Sequence, residues 1–191
     1  MGSYYYLVAQ LPALSYAQPA PMTSSRLREL CGDLMSAQDA ALLDLCVLDP
    51  GAVASGSAGS SPLIDGWLAW ERILRQVLAR QRGQKLGRDA AQLAEPPADA
   101  LDAIAVAKAA LSMDSPLEAE FFLDRARWDA VEELQPSDYF DRDTVYGYMI
   151  KLLLLERKAL FRVEEGFAEY KAIYASVMEA ASKRIASGEP K

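Results

Sequence analysis

Histidine is absent from this 191-residue chain, and cysteine occurs only twice, at Cys31 and Cys46. Without histidine there is no Ser–His or Cys–His nucleophile pair and no histidine-containing zinc site. The two cysteines are fifteen positions apart, have no C-x-x-C partner and sit among apolar helical residues. Their plainer reading is a pair of buried thiols in a reducing compartment, with a disulfide or reactive pair as the alternative. No stretch approaches 18 consecutive apolar residues, so no membrane-spanning segment is expected. The opening MGSYYYLVAQLPAL has neither a basic n-region nor a well-placed small-residue cleavage site, and it does not read as a signal peptide. GxxxxGK[ST], GxGxxG, GxSxG and HExxH are all missing, which removes the common phosphate-cradling and hydrolase signatures.

What the chain does have is 51% hydrophobic residues. At this size about 70% of the extended-chain surface can be buried, so no metal or disulfide is needed as a staple. The net charge of −7 is unevenly spread: residues 96–142 hold eleven acidic and four basic residues, whereas residues 62–95 hold four acidic and six basic ones. Clustered cation is what nonspecific nucleic-acid binding requires, and this balance disfavours it.

The periodicity is helical nearly throughout. Tyr4–Ala9 is rich in strand formers and closed by Pro12, which predicts a short extended segment or, on nearly equal grounds, a first helix, since a lone strand makes no sheet. Thr23–Ser25 offer caps for a helix through Leu34, with Leu27, Leu30, Cys31 and Leu34 on one stripe. Ser36 caps a second helix ended by Asp49-Pro50. Small residues fill 51–61, a flexible connector between an N-terminal part (1–50) and a main helical bundle (62–191), both parts of one domain. In Ile64–Gln81, residues Trp67, Trp70, Ile73, Leu74, Val77 and Leu78 recur at helical spacing, with Glu71 and Arg75 as a supporting ion pair. Pro96-Pro97 precedes an Ala-rich helix near 98–111, and Ser115-Pro116 opens a helix to about Leu134. From Asp141 or Asp143 to about Ala186 the apolar pattern is almost continuous. It predicts one helix about 60 Å long or a hairpin broken near Arg162–Gly166, and the all-round apolarity of 148–161 favours the hairpin. The fold class is all-α.

Three constellations are candidates for function. Glu118, Glu120, Asp124, Asp129, Glu132, Glu133 and Asp138 read first as a solvated face, then as a docking face, and last as acid–base or metal chemistry. Arg72, Arg75, Arg80, Arg82, Lys85 and Arg88 read as a solubilising surface or as a face for an acidic partner or anionic lipid. Trp67 and Trp70 read as core anchors. Glu156 interrupts the apolar seam between Leu153 and Leu160, so it needs a partner: an arginine on a neighbouring helix, or a subunit junction. No catalytic, cofactor-binding or metal-binding residue is expected.

Several stretches carry a resemblance. YYYLVAQLPALSY, RILRQVLARQRGQKLG and, best, PLEAEFFLDRARWDAVEEL followed by DYFDRDTVYGYMIKLLLLERKALFRVEEG resemble a bacterial family of undetermined function. Its genes accompany V-type (A/V-type) ATPase operons of spirochaetes, chlamydiae and Bacteroidetes. More distantly, this half is similar to one repeat of the d-type subunit of these ATPases. Glu120, Leu123, Asp124 and Trp128 match the first helix of that repeat, and Tyr148, Glu156 and Arg157 the second. The chain is much shorter than a d-type subunit and covers at most one or two of its three repeats. The resemblance implies a non-catalytic, cytoplasmic helical subunit, peripheral to the membrane, between central stalk and membrane ring. Arg72, Arg75, Arg80, Arg82, Glu156 and Arg157 are the expected partner-binding residues. A free-standing helical interaction or assembly factor is the alternative.

Overall fold

The computed structural model describes residues 4–52, 61–87, 101–161, 173, 174, 176 and 178. Among them are seven α-helices and no strand: α1 (Tyr5–Gln10), α2 (Ser24–Leu34), α3 (Ala37–Leu42), α4 (Pro62–Lys85), α5 (Leu101–Leu111), α6 (Pro116–Glu133) and α7 (Arg142–Ala159). The chain divides into two units, Met1–Lys158 and Ala159–Lys191.

Helix starts follow side-chain chemistry. Thr23, Ser36, Ser61 and Ser115 each accept a hydrogen bond from a backbone N–H of the first turn they precede, and Pro62 and Pro116 stand where the missing N–H costs nothing. Gly87, at φ +69°, adopts the left-handed conformation that ends α4.

One open expectation about the elements is resolved and two change. Of the two readings for Tyr4–Ala9 the extended one falls and the helical one holds, as Tyr5–Gln10: with no strand to pair with, its backbone groups are met within the helix, while Tyr4 N–H, just before it, donates to Phe140 O at 2.8 Å. The helix begun at Ser36 stops at Leu42 and gives way to a 3₁₀ turn, Leu43–Leu45. The carbonyls that followed are claimed from elsewhere: Arg28 donates to Leu43 O, Trp67 Nε1 to Val47 O and Arg75 to Leu48 O. The second change is at α7, which stops at Ala159, and Leu160 is 79% exposed rather than buried in a continuing seam. The predicted break at 162–166 and the stripe residues Val163, Phe167, Tyr170, Val177 and Ala181 lie outside the described residues. So do Arg88 and all of the connector except Gly51, Ala52 and Ser61. In the second unit Ile173, Tyr174, Ser176 and Met178 are helical.

In the first unit the main core joins both sides of the connector. Leu7, Leu27, Cys31, Leu43 and Cys46 pack with Ile64 and Trp67 of α4 and with Val145, Tyr146, Met149 and Ile150 of α7. Both cysteines are buried and unpaired, and burial pushes Cys31 up to about 11. A second cluster joins Leu74, Val77 and Leu78 of α4 to the alanine face of α5 and to Leu123 of α6. A third sets Trp128 against Leu154 and Leu155. Among the described residues no helix is long and apolar enough to cross a membrane.

Candidate partner-docking site

α7 holds two other helices by their N-termini. At its start, Asp143 accepts from Ser61 Oγ (2.8 Å) and from Leu63 N–H (3.2 Å), capping α4. Near its end, Glu156 accepts from the backbone N–H of Ser24 at 2.6 Å and from Ser24 Oγ at 2.8 Å, capping α2. This corrects the expectation of an arginine partner for Glu156. Helix N-termini present unmet N–H groups and partial positive charge, so a carboxylate is satisfied there without a cation.

Where α4, α6 and α7 meet lies a chain of ion pairs. Glu71, 0% exposed, receives a bidentate pair from Arg127 (Nε at 2.9 Å, Nη2 at 3.0 Å) and a further bond from Arg75 Nε at 2.8 Å. Arg127 Nη1 also donates to Asp124 Oδ1 at 2.9 Å, and Arg157 donates to the same oxygen at 2.5 Å and to Glu120 at 2.7 Å. Arg82 stands 3.9 Å from Glu120 at one margin, and Arg75 reaches Asp49 at 3.3 Å at the other. Four carboxylates thus face four guanidinium groups.

Burial pushes Asp124 up despite the opposing charges of Arg157 and Arg127. The structural reason is that both arginines use Oδ1, leaving buried Oδ2 with no hydrogen-bond partner. For Arg127 burial pulls downward, but the hydrogen bonds and charge of Glu71, then Asp124, outweigh it and raise the guanidinium. Tyr16 lies beside this junction, its hydroxyl donating to Phe121 O at 2.9 Å, with Lys158 Nζ 4.2 Å from its ring centroid. Burial, and then the Asp124 charge, raise the Tyr16 phenol.

The expected partner-binding residues are therefore not gathered into one place. Arg75, Arg82 and Arg157 belong to the ionic chain, and Glu156 caps α2. Arg72 is exposed on α4, and Arg80 is half-buried. The acidic run is not a uniform solvated face either: Asp124 is 0% exposed, whereas Asp129 pairs with Arg125 at 2.9 Å on the surface. Trp67 is a core residue, but Trp70 is only half-buried. Glu71 and Arg127 were not anticipated in the interior. The signal was present, because Glu71 falls four after Trp67 and three before Leu74, inside the buried stripe of α4. Among the described residues no group of three or more Asp, Glu or Cys is placed to hold a metal ion.

Trp70 opens onto a groove of about 390 Å³ between α4, α5 and α6. Its floor includes Ile73, Val106 and Phe122, and Asp102, Asp129 and Glu133 stand along it. No family model, curated protein or solved structure matches this chain.

Proposed function

We propose that this chain is a non-catalytic helical adaptor of a bacterial V-type ATPase, resembling the d-type subunit and acting on the cytoplasmic side between the central stalk and the membrane ring. The observation that carries the reading is the junction of the two stretches that bear the resemblance. Glu120 and Asp124 on α6 are bridged by Arg157 on α7, and Trp128 packs against Leu154 and Leu155. Residues 26 to 37 positions apart thus form one helix pair stiffened by directional, partly buried hydrogen bonds. An adaptor between a rotor and a ring needs such a body, which passes on force rather than repacking under it. Arg72, exposed on α4 outside the ionic chain, offers a cation to an acidic segment of the stalk.

Affinity purification of the tagged chain from its native host tests the reading. Stoichiometric recovery of the catalytic, stalk and ring subunits is expected. Recovery of an intact ATPase that lacks this chain, with the chain found on other proteins, would instead assign it as a free-standing interaction factor.

A further inference from the structure

We propose that the groove between α4, α5 and α6 docks a basic amphipathic helix from a partner protein. The inference stands apart from the ATPase reading, since it concerns the chemistry of the occupant and not its identity. The groove exists because the helices around it are faced with small residues. Ala103 on α5 and Ala126 and Ala130 on α6 leave a trough that larger side chains would fill. Trp70, Ile73, Val106 and Phe122 reach this trough half-buried, so apolar surface is left for another element to cover. Its volume of about 390 Å³ is at the low end of ligand pockets, which run from about 300 to 1,000 Å³. That is room for the apolar side chains on one face of a helix, not for the helix itself, the arrangement of helix-in-groove recognition.

Charge complementarity selects the occupant. Asp102 and Glu133 are exposed, and neither is in an ion pair among the described residues. Arg125, the cation beside them, is matched by Asp129. Glu133 is the last residue of α6, whose final turn carries no basic residue. There the negative end of the helix dipole adds to Glu133. Asp102, in the first turn of α5, offsets that helix's positive end, but three carboxylates against the one guanidinium of Arg125 still leave a field over the groove that favours cations. Lysines or arginines flanking an apolar stripe answer both the rim and the floor.

The probe is a synthetic helix of about 18 residues, five turns, with leucine on one face and lysine on the other. Two controls accompany it: a scramble of the same composition without an apolar face, and the same helix with glutamate for lysine. Titration calorimetry should show the Leu/Lys helix binding at least about tenfold more tightly than either control. Trp70→Phe should remove most of the accompanying fluorescence change. The double variant Asp102→Lys/Glu133→Lys should weaken binding about tenfold, and Ala126→Met, which fills the trough without altering charge, should weaken it similarly. Asp33→Lys/Asp114→Lys makes the same change in net charge outside the groove and should weaken binding much less. All these positions except Trp70 and Ala126 are exposed, and unchanged melting confirms that each variant folds. Equal binding of the scramble, equal loss in both double variants, or no binding of the Leu/Lys helix overturns the proposal.

Discussion

Glu156 shows how one charged side chain in an apolar stretch finds a neutral solution. Its two oxygens meet the first N–H of α2 and the hydroxyl of the same residue, Ser24. Glu156→Gln keeps one acceptor but loses the charge at a helix N-terminus, so a loss of about 0.5–1 kcal/mol is expected. Glu156→Leu extends the apolar stripe yet strands the Ser24 N–H, and should cost about 1–3 kcal/mol. Denaturant melts rank the two; a leucine variant as stable as the parent would show that water replaces the carboxylate. Asp39 makes a second residue-scale case, with a pH dependence. Burial raises its carboxyl, but hydrogen bonds from Tyr4, Arg142 and Ser36 outweigh this and hold it below its ordinary value. The unfolded chain then takes up this proton first on acidification, at about pH 3.9. The stabilisation is therefore fully present above that value and lost as pH falls through the lower, folded one. Asp39→Asn should be less stable than the parent at about pH 6, with the gap narrowing as pH falls below about 3.9; a gap independent of pH would place the effect in packing instead.

Elements were legible where local chemistry decides them and illegible where a distant group does. Thr23, Ser36, Ser61 and Ser115 mark helix starts because a cap acts on its own first turn. The end of α3 could not be read the same way, since Arg28, Trp67 and Arg75 take carbonyls across the fold. For α1 local chemistry leaves strand and helix nearly level, and the lack of a partner strand among the described residues decides for the helix. Close contact between elements shows in the glycines. A Cβ on Gly147 of α7 would lie 2.0 Å from Gln135 Nε2 and 3.1 Å from Leu63 Cδ1. A Cβ on Gly32 of α2 would meet nothing within 4 Å. Helix propensity alone favours alanine at both by about 1 kcal/mol. Gly32→Ala should therefore stabilise by about that amount, whereas Gly147→Ala should lose about 1–3 kcal/mol to overpacking. Thermal unfolding of the two variants separates propensity from packing, and a stabilised Gly147→Ala would mean that Gln135 swings out freely.

Across the whole first unit, the candidate site was half legible. Glu120, Asp124 and Arg157 stood out by resemblance, and the chain of ion pairs brings them together. Its other centre, Glu71 with Arg127, is not legible: the spacing pairs Glu71 with Arg75, four residues on, as in so many exposed helical pairs, and nothing in the sequence singles out Arg127. Only burial distinguishes it, and burial depends on α6 and α7 closing over α4. This ionic chain crosses three helices, so its energetics report on how they dock. Removing Arg127 leaves a fully buried carboxylate with Arg75 as its remaining partner, and leaves Asp124 with Arg157 alone. Arg127→Met should therefore cost about 3–5 kcal/mol, the usual penalty for breaking a buried pair. Glu71→Gln should cost somewhat less, because Arg127 still has Asp124. In the double variant Glu71→Met/Arg127→Met, two apolar side chains replace the desolvated ions, and much of the loss should return. A double-mutant cycle by denaturant unfolding measures this, and a coupling energy above about 1 kcal/mol is expected for groups in contact. Strictly additive losses would mean that Glu71 and Arg127 act independently, and that apolar packing alone holds α4 against α6.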